Sequence, residues 1–152
     1  SEDSRICMQS TGQLTAISPV TTAPYPGFPT DAQAILMAAV LRARGESAFH
    51  ETVFSRRFLH VPELRKLGAD IALFGKTVRV RGVSCLHGAK LQAEDLRGAA
   101  ALITASLMAE GESEVLGLAH LARGYEKLEQ NLKNLGAAIN SVDIPAPFVY
   151  NT

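Results

Sequence analysis

Laid over itself with an offset of 66, the chain places Gly45-Glu46-Ser47 on Gly111-Glu112-Ser113, and in each copy this triplet closes a long apolar stretch. The stretches themselves correspond, residues 31–44 with 97–110, both rich in Ala, Leu, Ile and Met. Downstream, Leu67-Gly68-Ala69-Asp70-Ile71 matches Leu135-Gly136-Ala137-Ala138-Ile139 at an offset of 68, so about two residues are inserted in between. Such self-similarity means two copies of one supersecondary unit. The copies read as residues 14–82 and 83–142 of a single domain over 1–142. The tail, 143–152, has no repeat partner and reads as an extended terminus.

Each copy runs through the same elements. Residues 32–44 contain no Gly or Pro, follow a Pro29-Thr30-Asp31 start signal and stop before Gly45, which predicts a helix with an N-cap and a C′ glycine. Its middle, Ile35-Leu36-Met37-Ala38-Ala39-Val40-Leu41, is apolar on every face, as is the partner helix over 96–109. A helix that is apolar all round must be buried. The second helices differ: Phe58, Val61, Leu64 and Leu67 in one copy, and Tyr125, Leu128, Leu132 and Leu135 in the other, have the spacing of a one-sided surface helix. Strands are predicted over 47–54, 69–74 and 78–81, the last alternating apolar with charged residues so that one face of its sheet is wet. Buried helices beside half-exposed sheets invert the usual layering. The fold class is therefore α+β, an inside-out α/β domain of repeated βαβαββ units with helices inside and sheets outside.

Composition narrows the partners. Fifteen Lys and Arg balance fifteen Asp and Glu, and 47% of residues are hydrophobic, which excludes disorder and leaves no charge surplus for a nucleic-acid or membrane-surface binder. No apolar run approaches the ~18 residues needed to span a bilayer. Ser1-Glu2-Asp3-Ser4-Arg5 has the features of no signal peptide, so the expected location is the cytoplasm. A first residue other than Met points to processing or to a piece of something longer. Cys7 and Cys85 are expected to be free thiols.

Standard motifs are absent. Gly75-Lys76-Thr77 resembles the end of a P-loop, but the required upstream glycine is Asp70. Cys85 and His87 are the only close Cys/His pair, and His50, His60 and His120 lack metal-ligand spacing, so neither metal nor cofactor is expected.

Four residues stand out by their equivalence. The offset of 66 maps Asp31 onto Arg97 and Arg57 onto Arg123, all at predicted helix starts. Asp31 reads either as an N-cap accepting a backbone N–H or as a functional carboxylate. An arginine at a helix start opposes the helix dipole, which favours an anion, a phosphate or carboxylate, sitting beside it. The preceding Ala23-Pro24-Tyr25-Pro26-Gly27-Phe28-Pro29-Thr30 is stiff and fixes where Asp31 points.

The segments Thr22-Ala23-Pro24-Tyr25-Pro26-Gly27-Phe28-Pro29-Thr30-Asp31, Glu51-Thr52-Val53-Phe54, Arg57-Phe58-Leu59-His60-Val61-Pro62-Glu63-Leu64, Asp95-Leu96-Arg97 and Arg123-Gly124-Tyr125-Glu126 occur in an order that closely resembles the UDP-N-acetylglucosamine enolpyruvyl transferases. The resemblance runs over residues 6–139. It implies the inside-out fold of that family, in two domains of three repeats each, of which this chain looks like the C-terminal part with two complete repeats.

What the resemblance implies about chemistry is specific. UDP-N-acetylglucosamine and phosphoenolpyruvate would be the substrates, and a missing N-terminal domain would bring the loop with the reactive cysteine, a role neither Cys7 nor Cys85 inherits. Asp31 resembles the carboxylate that hydrogen-bonds the sugar 3-hydroxyl and takes its proton. Val53 matches a position whose backbone contacts the UDP-sugar. Arg123 resembles a phosphoenolpyruvate-binding arginine, and Arg57 and Arg97 match cationic positions of the same cleft. Leu121-Ala122 and Ser55-Arg56 depart from the family's usual residues. The alternative reading is a non-catalytic fragment that binds the UDP-sugar or a partner chain.

Overall fold

The computed structural model describes residues 7, 9 and 12–142; the tail over 143–152 lies outside the described residues. Copy one is β1 (Val20–Thr21), α1 (Thr30–Ala39), β2 (Glu46–His50), α2 (Val61–Lys66), β3 (Asp70–Phe74) and β4 (Thr77–Arg81), the expected βαβαββ. Copy two is β5 (Lys90–Gln92), α3 (Leu96–Ser106), β6 (Glu114–Leu116), a 3-10 helix (Leu118–Arg123) and α4 (Leu128–Asn134). Expected to be complete, it has no counterpart of the β3–β4 hairpin among the described residues.

The first sheet has the order β1-β2-β4-β3, with β1 parallel to β2 and the remaining pairs antiparallel. β5 and β6 form a second, parallel pair. In both copies a strand, an internal helix and a parallel strand follow one another, the same βαβ crossover twice. Register puts Ser47 opposite Val80 and Phe49 opposite Val78, all four buried. On the other face Glu46 pairs with Arg79 and Arg81 in the open. The period-two reading of β4 is thus realised as one dry and one wet face.

α1 and α3 lie side by side in the core. Small residues allow the close approach: Ala34 and Ala38 on α1, Gly98, Ala99, Ala101 and Ala105 on α3, all buried. The expected burial on every face holds along most of α3 and only in part for α1, where Ala32, Ile35, Leu36 and Ala39 are half-buried. α1 is also shorter than predicted. It ends at Ala39 because Leu41 and Ala43 donate N–H bonds to carbonyls three residues back, and the Leu41 carbonyl turns to accept from Val83. Gly45 is therefore not its C′ residue, although it has the left-handed φ of 105°.

β2 stops at His50 and not at Phe54, since residues 51–54 leave the ladder to build the turn described below. α2 begins with Val61 and tolerates Pro62 in its first turn. α4 buries no residue fully, and Leu128 and Leu132 face the core as a one-sided helix requires.

Candidate active site

The two internal helices place their first turns at the same end of the domain. Asp31 is the second residue of α1 and Arg97 the second of α3. Arg97 Nε donates to Asp31 Oδ1 at 2.5 Å, and Arg57 Nη2 donates to the same oxygen at 3.1 Å. Oδ2 has no hydrogen bond among the described residues, and the Asp31 side chain is 63% exposed. One carboxylate oxygen is spent inside the protein and the other is open to a ligand.

Asp31 is not the N-cap. That position is Pro29, which makes no side-chain cap bond. The cap reading fails because the aspartate sits within the first turn, where its side chain reaches across to the neighbouring helix. α3 is capped conventionally by Asp95, whose Oδ1 accepts the N–H groups of Arg97 and Gly98 at 2.9 and 2.8 Å. The anion expected beside Arg97 at its helix start is thus Asp31 of the chain itself.

The electrostatics follow from this pairing. The Arg97 hydrogen bond, joined by the charges of Arg97 and Arg57, holds Asp31 below the ordinary carboxylate range against the opposing effect of partial burial. The same bond pushes Arg97 above the usual guanidinium value. Both groups remain ionised through neutral pH.

Arg57 and Arg123 are not at helix starts. Arg57 lies in the turns ahead of α2, and Arg123 ends the 3-10 helix. Arg57, with its side chain only 15% exposed, is gripped at three points: Nη2 on Asp31, Nε on Thr30 Oγ1 at 3.0 Å, and its guanidinium 4.2 Å from the centre of the Phe54 ring. Arg123 and Arg97 line one open hollow of about 410 Å³ together with Glu94, Asp95 and Leu96. The lining is of mixed charge, two guanidinium groups whose forks suit a phosphate or carboxylate and two carboxylates, of which Asp95 is engaged in capping α3.

Val53 is on the exposed turn after β2, where its N–H donates to Glu51 Oε1 at 2.8 Å. The residue that the sequence did not single out is Glu51 itself, 1% exposed. Its Oε1 also accepts the Phe54 N–H at 3.0 Å, and its Oε2 accepts the Thr30 hydroxyl at 2.9 Å. Burial pushes this carboxylate up, but the bonds from Phe54, Thr30 and Val53, with the Thr22 side chain nearby, outweigh it and leave Glu51 below its ordinary value. An acid directly after an alternating strand was the available signal.

The loop ahead of α1 is clasped at its base, Ala23 N–H donating to the Phe28 carbonyl at 3.0 Å, and contains a cis Tyr25-Pro26 bond. Within it Gly27 packs so closely on Ala23 that a Cβ would lie 2.5 Å from the alanine Cβ. Among the described residues no three His, Cys, Asp or Glu side chains gather as a metal site, and no helix is long and apolar enough to cross a membrane.

Comparison with known proteins identifies the family and the fold. The family model of EPSP synthase (3-phosphoshikimate 1-carboxyvinyltransferase) matches residues 1–132. A UDP-N-acetylglucosamine 1-carboxyvinyltransferase of Anaeromyxobacter sp. is 55% identical over 120 residues, covering 79% of this chain and 28% of the relative. Its counterpart in Caulobacter vibrioides is 46% identical over 140 residues, 92% of this chain and 32% of the relative. Among solved structures, the enolpyruvyl transferase NikO from Streptomyces tendae superposes with a TM-score of 0.77 at 35% identity, covering 85% of this chain and 30% of NikO. EPSP synthase from Acinetobacter baumannii, 17% identical with a TM-score of 0.50 over 70% of this chain and 24% of its own, shares the fold. The chain therefore spans about a third of the length of the curated relatives it matches.

Proposed function

The chain belongs to the family of enolpyruvyl transferases typified by EPSP synthase, and from that premise we propose that it forms one wall of a cleft in which UDP-N-acetylglucosamine receives the enolpyruvyl group of phosphoenolpyruvate. The observation that carries this reading is the Asp31–Arg57–Arg97 cluster, in which Arg97 joins the exposed Asp31 carboxylate to the hollow it lines with Arg123, Glu94, Asp95 and Leu96.

Each residue has a part in that chemistry. As the sugar 3-oxygen attacks C2 of phosphoenolpyruvate the C2=C3 electron pair takes up a proton at C3, and C3 gives a proton back as phosphate leaves and the double bond re-forms. Asp31 Oδ2 accepts the hydroxyl proton, and the proton exchange at C3 falls to the opposite wall. Arg97 and Arg123 hold phosphate and carboxylate charge through the tetrahedral ketal until phosphate leaves. Arg97, joined by Arg57, keeps Asp31 ionised, and Arg57 helps to orient it. Because the Val53 N–H is taken by Glu51, contact with the UDP-sugar falls to the Val53 carbonyl. The opposite wall, with the cysteine loop, belongs to a further domain that closes over the substrates. On this reading the reaction opens peptidoglycan synthesis and runs in the cytoplasm, without metal, nucleic acid or membrane.

The relatives named for UDP-N-acetylglucosamine, 46% and 55% identical, support that acceptor over shikimate 3-phosphate. The test is phosphate release by the longer enzyme that carries these residues, given phosphoenolpyruvate with either acceptor. Release with the UDP-sugar alone is expected. Release with shikimate 3-phosphate alone overturns the assignment.

A further inference from the structure

Arg57 is held more firmly than a pairing of surface charges explains, and both of its other supports lead back to one buried group. Its Nε bonds Thr30 Oγ1, and the Thr30 hydroxyl donates its own proton to Glu51 Oε2. Its face rests on the Phe54 ring, and the Phe54 backbone N–H donates to Glu51 Oε1. Thr30 directly precedes Asp31 in α1, so the carboxylate buried after β2 is also tied to the end of the helix that presents the base.

We propose that Glu51 is a positioning residue of the reaction: through the Thr30 hydroxyl and the Phe54 turn it clamps Arg57, and through Arg57 it sets the orientation of Asp31. The proposal rests on Asp31 serving as the proposed base. A cap for the turn at Val53 and Phe54 needs one oxygen, and Oε1 alone fills that need. Oε2 does something else. As an acceptor-only group it forces the Thr30 hydroxyl to donate toward it, which turns the hydroxyl lone pairs to the Arg57 Nε–H. A glutamine at position 51 with its oxygen kept on the turn would present an NH2 to Thr30. The hydroxyl proton would then lose its acceptor, and the negative charge behind the arginine would be gone.

Thr30 separates this role from turn capping. Thr30→Val removes the relay hydroxyl and leaves both Glu51 bonds to the turn, while Thr30→Ser restores the hydroxyl. The structural readout is the Arg57 Nε–H resonance of the 152-residue chain, expected as a slowly exchanging signal that is lost in Thr30→Val and Glu51→Gln and retained in Thr30→Ser. The kinetic readout is the longer enzyme that carries these residues. There Thr30→Val and Glu51→Gln should lower kcat by roughly 10-fold or more, with KM for the UDP-sugar moved by less than about 3-fold and Thr30→Ser close to wild type. Should Glu51→Gln fail to fold, the Thr30 pair decides alone. An Arg57 signal and a kcat that both survive Thr30→Val would overturn the proposal and leave Glu51 as a turn cap. An unchanged kcat in Asp31→Asn would instead strike the proposed base, while the Arg57 signal would still report on the clamp.

Discussion

Asp31 and Arg97 stand 66 residues apart, occupy the same place in the internal helix of each copy, and meet at 2.5 Å. The opposite end repeats the relation: Arg42 Nη1 reaches the Met108 carbonyl, again at a separation of 66. Two copies of one unit packed with their helices side by side bring equivalent positions face to face. A duplicated charge there would repel, so a cluster becomes possible only when the copies diverge in sign, as aspartate and arginine do here. The site is thus made by the difference between the repeats.

That geometry makes Asp31→Asn the direct test of the proposed base. The amide keeps the size and one acceptor oxygen but cannot take a proton. In the longer enzyme kcat should fall by roughly the 10²–10⁴ of a lost general base, with UDP-sugar affinity changed far less. Since Arg97 and Arg57 hold the wild-type carboxylate below its ordinary range, the activity it supports should persist as pH falls through the normal carboxylate region. Steady-state kinetics across pH check both statements, and a kcat within a few-fold of wild type would return Asp31 to a structural role.

The parts of this fold that were legible in the sequence are those whose periodicity is decided by burial. The β3–β4 hairpin and the start of α3 lie where the apolar pattern put them, because Leu102, Ile103, Val78 and Val80 have no alternative to the core, while α3 stops at Ser106 and not at Ala109 because Met108 and Ala109 donate to carbonyls three residues back. Boundaries set by long-range bonds were not legible. The turn after Ala39 depends on Val83 N–H reaching the Leu41 carbonyl and on Arg42 reaching the Ser84 carbonyl at 2.9 Å, contacts invisible to a local pattern. The site divides in the same way. The repeat offset marked Asp31 and Arg97, but local propensity also offered Asp31 as a cap, and only the packing of α1 on α3 removes that option. Glu51 carries no periodic signature, and its place emerges from the turn that ends β2.

Gly82 should be intolerant of any side chain. A Cβ there would lie 1.6 Å from the Ala43 carbonyl oxygen and 2.6 Å from its carbon, so the obstruction is backbone and cannot rotate away. Gly82→Ala is expected to cost about 3 kcal/mol or more, in the range of severe overpacking. Gly75 is the control. It has a φ of 58° and nothing within 4 Å of a Cβ, so Gly75→Ala should cost only about 1 kcal/mol of left-handed strain. Urea titration of the two variants should order them this way, and equal midpoints would refute the steric account.

His60 should make the domain acid-sensitive. It is 3% exposed, neither ring nitrogen has a hydrogen-bond partner among the described residues, and burial lowers its pKa to about 4 against an opposing pull from Asp95. A histidine whose folded pKa lies below the unfolded 6.5 binds its proton more readily in the unfolded chain. Its contribution to stability is therefore whole above pH 6.5 and is lost as pH falls toward about 4. The loss amounts to about 3 kcal/mol at its lower limit. Denaturation at pH 7 and at pH 4.5 should show a smaller difference for His60→Gln than for wild type; an undiminished difference would assign the acid sensitivity to other groups.

The 152 residues taken alone should not turn over. Expelling phosphate through an oxocarbenium-like centre requires charge stabilisation on both sides of the substrate and exclusion of water, commonly achieved by closure of one body on another. Here Asp31, Arg57, Arg97 and Arg123 are presented from one face, Asp31 is 63% exposed, and the hollow beside Arg97 is open. Catalytic contacts work only when held within fractions of an ångström, so half a constellation loses nearly all of the rate and not half of it. No phosphate release from phosphoenolpyruvate and UDP-N-acetylglucosamine is expected from the purified chain, with weak UDP-sugar binding at most. Adding the cysteine-loop domain in trans should restore activity to the extent that the two associate. Turnover by the chain alone would show that its single wall is a complete site and that the proposed division of the cleft is wrong.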